Sequence, residues 1–276
     1  MFRIPHKGMR RINVTAESNS LTLDKSPVHA GETDPPIDDA GHLLLHHHFD
    51  DMAQQRECNT LMMWAFLVTE IMMFGGLFCA YAVYRWSYPH AFAIGSHHIK
   101  WFMGSLNTGV LLVSSLTMAM AVHSAALRNK KRLVMFLAAT LVLGWCFIGV
   151  KGVEWTQDYY EGLVPGVNWN YYDTTVHPDH AQDVNELAKE GVSPNAVKMF
   201  MVFYFFMTGL HGFHMLVGII LVTILLIMAI KGRFTEGNDQ PVEISGLYWH
   251  LIDIIWIFLF PLLYLVSGIK GSGPLW

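Results

Sequence analysis

Five stretches of this chain are too long and too apolar for a water-soluble fold: roughly residues 61–84, 104–127, 133–155, 199–230 and 247–269. About 20 apolar residues suffice for a helix to cross the hydrocarbon layer, where only helices and closed barrels satisfy every backbone polar group. Runs of this length outreach any barrel strand. They predict an all-α fold class: a polytopic membrane helix bundle with five transmembrane helices. The chemistry of the remainder agrees. Of 276 residues, 53% are hydrophobic and only 14% charged, against about a quarter charged in a soluble domain. A net charge of −4 gives no reason to expect a nucleic-acid partner. Cys58, Cys79 and Cys146 lie far apart, with no disulfide or metal spacing.

The spans divide the chain. Residues 1–57 read as a polar, largely disordered cytoplasmic tail, because Ser26–Asp39 is rich in proline and acids and poor in core-forming residues. The tail holds no apolar segment of signal-peptide length, so insertion is expected to start at the first true span. Residues 58–276 form the membrane domain. Lysines and arginines orient it. The tail, the loop 128–132 and the loop 231–246 carry 12 of the 18 basic residues, which predicts the N-terminus inside and the C-terminus outside. The connection 156–198 then faces outward. Between Thr156 and Ala196 it has seven acids against Lys189 alone, and Asp183–Glu190 suits a short surface helix. The fourth span is over-long and should tilt or protrude. No internal repeat is visible, which disfavours an inverted-repeat transporter.

Ionisable groups in hydrocarbon cost several kcal/mol unless paired or hydrated, so each one marks something. Glu70 sits mid-span, as a carboxyl that pins helix packing or as a proton-linked site. Asn107 and Thr108 open the second span and are expected to hydrogen-bond neighbouring helices. Lys151 and Glu154, three apart, suggest a local ion pair at the outer interface. His211 and His214 share a helix face; one helix cannot complete a metal site, so bundle hydrogen bonding is favoured over ligation. His250, Asp253 and Trp256 form a stripe in the fifth span, with the carboxylate placed to orient the imidazole. Trp249 reads as an interfacial anchor, and Lys231, Arg233 and Trp249 as lipid-headgroup candidates.

Four segments in order resemble subunit III of the haem–copper cytochrome c oxidases, in a five-span bacterial form. They are Thr69-Glu70 with Phe74-Gly75, Leu106-Asn107-Thr108 followed by Val110-Leu111-Leu112, Thr208-Gly209-x-His211-Gly212-x-His214, and Tyr248-Trp249-His250-x-x-Asp253-x-x-Trp256. The likeness covers about 55–270 and implies an accessory, cofactor-free subunit of an aa3-type cytochrome c oxidase. Its haem and copper are expected in partner subunits I and II, with subunit I in direct contact, and small subunits or a supercomplex as further partners. The resemblance also implies bound phospholipid, support of proton uptake and turnover, and a bacterial cell-membrane location. Glu70 matches the family's intramembrane carboxylate near its lipid cleft. His211, His214, His250 and Asp253 match its polar bundle positions. The full-length family has seven spans and this chain lacks the first two, so one wall of that cleft is absent or supplied by another chain. A quinol oxidase subunit III shares the fold and is the close alternative; a stand-alone proton-coupled transporter is the distant one.

One motif stands outside the spans. His46, His47 and His48, followed by Asp50 and Asp51, precede the first span by about ten residues. They are a linker, or a cluster that collects protons for uptake, since imidazoles titrate near about pH 6.5.

Overall fold

Within the described residues, each apolar run is carried by one continuous helix, as hydrocarbon requires: without water, every backbone N–H and C=O must be satisfied inside its own segment. In the computed structural model, residues 52–97, 99–169, 181–189, 194–234 and 239–264 are described, all within one unit. The order is α1 (Met52–Ser87), α2 (Pro89–His97), α3 (Trp101–Ala126), α4 (Lys130–Tyr160), β1 (Leu163–Val164), β2 (Asn168–Trp169), α5 (Ala181–Lys189), α6 (Pro194–Ile230) and α7 (Gln240–Tyr264). Helices α1, α3, α4, α6 and α7 are long and apolar enough to cross a membrane. At 36 and 37 residues, α1 and α6 reach about 55 Å at ~1.5 Å per residue. The surplus length anticipated for the fourth span therefore applies to the first as well.

The α3–α4 connection is tighter than the sequence suggests. Only residues 127–129 separate the helices. Arg128 takes a left-handed φ of 56°, and the Asn129 side chain caps α4 by accepting from the Arg132 N–H at 3.3 Å. Caps of this kind serve the N–H groups that have no intrahelical partner. Across the hairpin, Thr117 and Thr140 share a 2.8 Å hydrogen bond.

Beyond the third span's expected end at 155, α4 continues to Tyr160 and brings Asp158 into the bundle. A two-residue antiparallel hairpin follows, Leu163 opposite Trp169, turning at Gly166 with φ 85°. Helix α5 falls where a surface helix was expected. Helix α2 was not anticipated; Phe92 packs against Tyr81 and Phe200, with ring centroids 5.3 and 5.4 Å away.

Helix α7 is the most enclosed of the five and α1 the least. What holds α1 comes mostly from far along the chain. Arg56 pairs with Asp239 at 2.7 Å, 183 residues later. Asn59 donates to Gln240 at 3.1 Å, and the Tyr81 hydroxyl donates to the Leu262 carbonyl at 2.8 Å. The start of α1 thus lies beside the start of α7, and Lys130 beside Gly232, so the basic connections gather at one end of the bundle.

Candidate functional site

Polar side chains line the interior in layers from one end to the other. At the end opposite the basic loops, Lys151 and Glu154 are paired at 3.0 Å, as the spacing suggests. Both are buried among α4, α6 and α7 rather than exposed on the surface. Lysine has three N–H bonds to place, and all three find acceptors, in Glu154, Tyr204 (3.1 Å) and Tyr264. Each tyrosine hydroxyl then spends its own proton on Glu154 Oε1, at 2.7 Å. Asp158, one turn on from Glu154, lies 3.2 Å from the Tyr204 hydroxyl. The result is a closed cage in which one cation is paired directly with Glu154, shares two phenols with it, and has a second acid alongside.

One layer deeper, the Trp256 indole donates to Thr108 at 3.1 Å, and Thr108 donates to the Gly104 carbonyl at 2.8 Å. His211 is fully buried beside Trp256 and Phe147, its ring centroid 5.0 and 5.5 Å from theirs. Among the described residues, neither of its nitrogens has a hydrogen-bond partner, and neither side-chain polar atom of buried Asn107 has one. The bonding expected of Asn107 is thus found only at Thr108.

His214 goes a separate way. Its Nδ1 is 2.8 Å from the Leu210 carbonyl, which can only accept, so Nδ1 carries a hydrogen. Its Nε2 lies 3.0 Å from Glu70 Oε2, though out of line for a straight hydrogen bond. A bare imidazole lone pair and a bare carboxylate would repel at that distance. The pair therefore needs one further proton between them, on nitrogen or on oxygen. Tyr248 closes the site by donating to the His214 carbonyl at 3.2 Å. The two histidines share a helix face but not a site.

The stripe on α7 also divides. Asp253 does not orient His250 directly. The imidazole Nδ1 bonds the Ser115 hydroxyl at 2.7 Å, and the buried Asp253 carboxyl lies within reach of that same hydroxyl. Trp249 corrects a second expectation. It is fully buried, not an anchor among lipid headgroups. Gly144 and Gly218 make its room: a Cβ at either would stand 3.0 or 3.1 Å from the indole. Its N–H donates to Ser114 at 3.0 Å. Lys231 and Arg233 are exposed just beyond α6, near a cavity of about 170 Å³ lined by Arg128, Lys130 and Gly232. His46, His47, His48, Asp50 and Asp51 lie outside the described residues.

Sequence reasoning missed Asp158, Tyr204, Tyr264, Ser114 and Ser115. Asp158 was hidden by the belief that the span ended at Trp155, although its i+4 spacing from Glu154 was readable. The tyrosines and serines carry no signal until helices are paired. Among the described residues, no three His, Cys, Asp or Glu side chains come together as a metal site would require.

A bundle of five such helices with a buried polar interior defines a multi-pass membrane protein. Comparison with known proteins gives the family. The sequence profile described as "Cytochrome c oxidase subunit III" matches residues 46–180 and 192–268, and the chain belongs to that family of haem–copper oxidase subunits. Among its relatives is the "Probable quinol oxidase subunit 3" of Staphylococcus saprophyticus, 25% identical over 226 residues, covering 81% of this chain and 96% of the relative. The protein of that name from Staphylococcus aureus (strain USA300) is 25% identical over 224 residues, with the same coverage of each. The chain is thus a multi-pass bacterial membrane protein and a subunit III, which associates with other subunits of an oxidase.

Proposed function

We propose that this chain is an accessory subunit that supports O₂ reduction coupled to proton pumping without carrying a redox centre. Haem and copper reside in partner subunits I and II, with subunit I in direct contact and phospholipid at the exposed flank of α1. The N-terminus lies inside, since the basic connections gathered at one end of the bundle favour the cytoplasmic face. The observation that carries the reading is the Glu70–His214 pair, 3.0 Å apart inside a membrane bundle. A half-buried pair that must hold one proton fits a subunit that assists proton handling, and it offers nothing to electron transfer.

For the electron donor, Glu70 following Thr69 favours cytochrome c, through the resemblance noted from the sequence. A second reading, a quinol, is favoured by the names of both staphylococcal relatives. Purifying the complex through this chain from native membranes decides between them. O₂ consumption sustained by reduced cytochrome c supports the first reading; consumption sustained only by a quinol supports the second. A preparation that contains this chain in quantity and no haem would sink both. Haem or copper that stays with the chain after the other subunits are stripped away would show that it holds a cofactor of its own.

A further inference from the structure

Between α3 and α7 lies a cavity of about 170 Å³, lined by His250, Ser115, Leu111, Leu112, Ile254 and Ile257 with Asp253 behind them. Leu111 is buried, whereas Leu112, Ile254 and Ile257 are roughly half exposed, so the rim faces out of the bundle. Cavities of ~150 Å³ walled by leucine and isoleucine accept a benzene ring. This one adds an imidazole to such walls, and a mostly apolar lining with a few placed polar groups is what small-molecule sites share.

The imidazole belongs to a relay. His250 Nδ1 lies 2.7 Å from the Ser115 hydroxyl, and that hydroxyl also reaches the buried Asp253 carboxyl. A serine has one proton to donate and two lone pairs with which to accept. When Ser115 donates to a charged Asp253, it accepts from His250 Nδ1, and Nε2 is a bare acceptor. With one more proton in the relay, Asp253 donates to Ser115, Ser115 donates to Nδ1, and Nε2 carries the hydrogen. Nε2 makes no hydrogen bond among the described residues and is open to its surroundings. One nitrogen at the well therefore accepts in one state and donates in the other. The proton that separates the two states sits on Asp253, whose oxygens are closed off.

Depth selects the ligand. Ser115 and His250 lie near the middle of α3 and α7. Phospholipid headgroups stay at the membrane surface, and acyl chains neither donate nor accept. A lipid-soluble quinone differs. Its tail dissolves in hydrocarbon, and its ring oxygens accept hydrogen bonds when oxidised and donate them when reduced. Those are the two conditions that Nε2 can meet. We infer that the α3–α7 well binds the ring of a membrane quinone, with one ring oxygen on His250 Nε2 and the tail passing over the rim into lipid. Leu111, Leu112, Ile254 and Ile257 pack against the ring. The oxidised form binds with the relay protonated and the reduced form with it deprotonated, and neither requires electron transfer at the site. Such a quinone is a bound ligand of this subunit whichever donor feeds the complex.

The test is photolabelling of the whole complex, purified through this chain and set in phospholipid nanodiscs. A short-tailed azido-ubiquinone is irradiated with it, and the labelled peptides are identified by mass spectrometry. The label is expected on α3 or α7, around Leu112 and Ile254, and an excess of unlabelled ubiquinone should displace it. It should fall severalfold in His250→Phe, which keeps a ring and loses the nitrogen. Ile254→Trp, at the exposed rim, fills the well without altering a hydrogen-bonding group and should lower the label as well, so the decision stands even where His250→Phe assembles poorly. Label only at other places in the complex would overturn the site. So would label that the excess does not displace, which marks quinone merely dissolved in lipid, or label unchanged in Ile254→Trp. Absence of haem would instead refute membership of an oxidase complex, and the label on this chain is read independently of it.

Discussion

Removing the charge of Lys151 while leaving its shape, as in Lys151→Met, should be one of the most damaging single changes in the bundle. The attraction it loses is large. At the observed 3.0 Å separation from Glu154, two unit charges interact by about 5 kcal/mol at an effective dielectric constant of ~20. Desolvation offsets part of that in the intact pair, but removing one partner leaves the other buried and uncompensated, which costs about 3–5 kcal/mol. Glu154 is 1% exposed, so it has no route to water. Unfolding of the chain in mixed micelles, followed by circular dichroism as SDS replaces a mild detergent, should register a loss of about two to four orders of magnitude in the folding equilibrium. The companion variant is Lys151→Met with Glu154→Gln. There the charge is gone from both sides, while the glutamine oxygen still accepts from Tyr204 and Tyr264. Stability should recover by half or more. If the double variant is as unstable as the sum of its single changes, to within about 0.5 kcal/mol, the cage does not couple the two charges and the reasoning fails.

Other consequences are more quickly checked. Glu70→Gln should leave subunit III at normal stoichiometry in the purified complex, because its amide N–H can donate to His214 Nε2 and replace the shared proton. Glu70→Leu should weaken retention by about 1–3 kcal/mol, and a substantial loss of the Gln variant on a stained gel would reject proton sharing. Trp249→Ala should cost about 3–5 kcal/mol as a core truncation, seen as a lower melting temperature; a change below about 1 kcal/mol would return Trp249 to the membrane edge. Replacing His46, His47 and His48 with Gln is a test of the proton-collecting hypothesis drawn from their sequence cluster. Turnover should slow more at pH 9 than at pH 6, since protons are scarcer at the higher pH, and superimposable profiles would leave the segment a linker.

The membrane bundle was legible because hydrocarbon imposes a length and a composition that few other structures share. Glu70, His211 and His214 could be singled out for the same reason: a polar group in an apolar run is conspicuous. What they touch was not legible. His211 and His214 sit three residues apart, and helical spacing alone could not tell that one faces Trp256 while the other meets Glu70. Trp249 misled in a specific way. An aromatic near a span's end usually sits at the interface, and only the space left by two glycines on other helices, Gly144 and Gly218, draws it inside. The cage around Lys151 was half visible as an i,i+3 pair, but Tyr204 and Tyr264 lie 53 and 113 residues from the lysine they serve.

The long reach between the ends of this bundle sets a timetable for its birth. Arg56 waits for Asp239, Asn59 for Gln240 and Glu70 for His214, and the first of these partners is 183 residues away. At a synthesis rate of about 5–20 residues per second, α1 spends roughly 10–40 s in the bilayer before the start of α7 leaves the ribosome. For that interval these three side chains lack the partners named here. The α3–α4 hairpin, closed by three residues, has no such delay and can pair as soon as both strokes are threaded. A nascent α1 is therefore the segment most exposed to being grasped by an insertion chaperone, or by quality-control proteases if α7 arrives late.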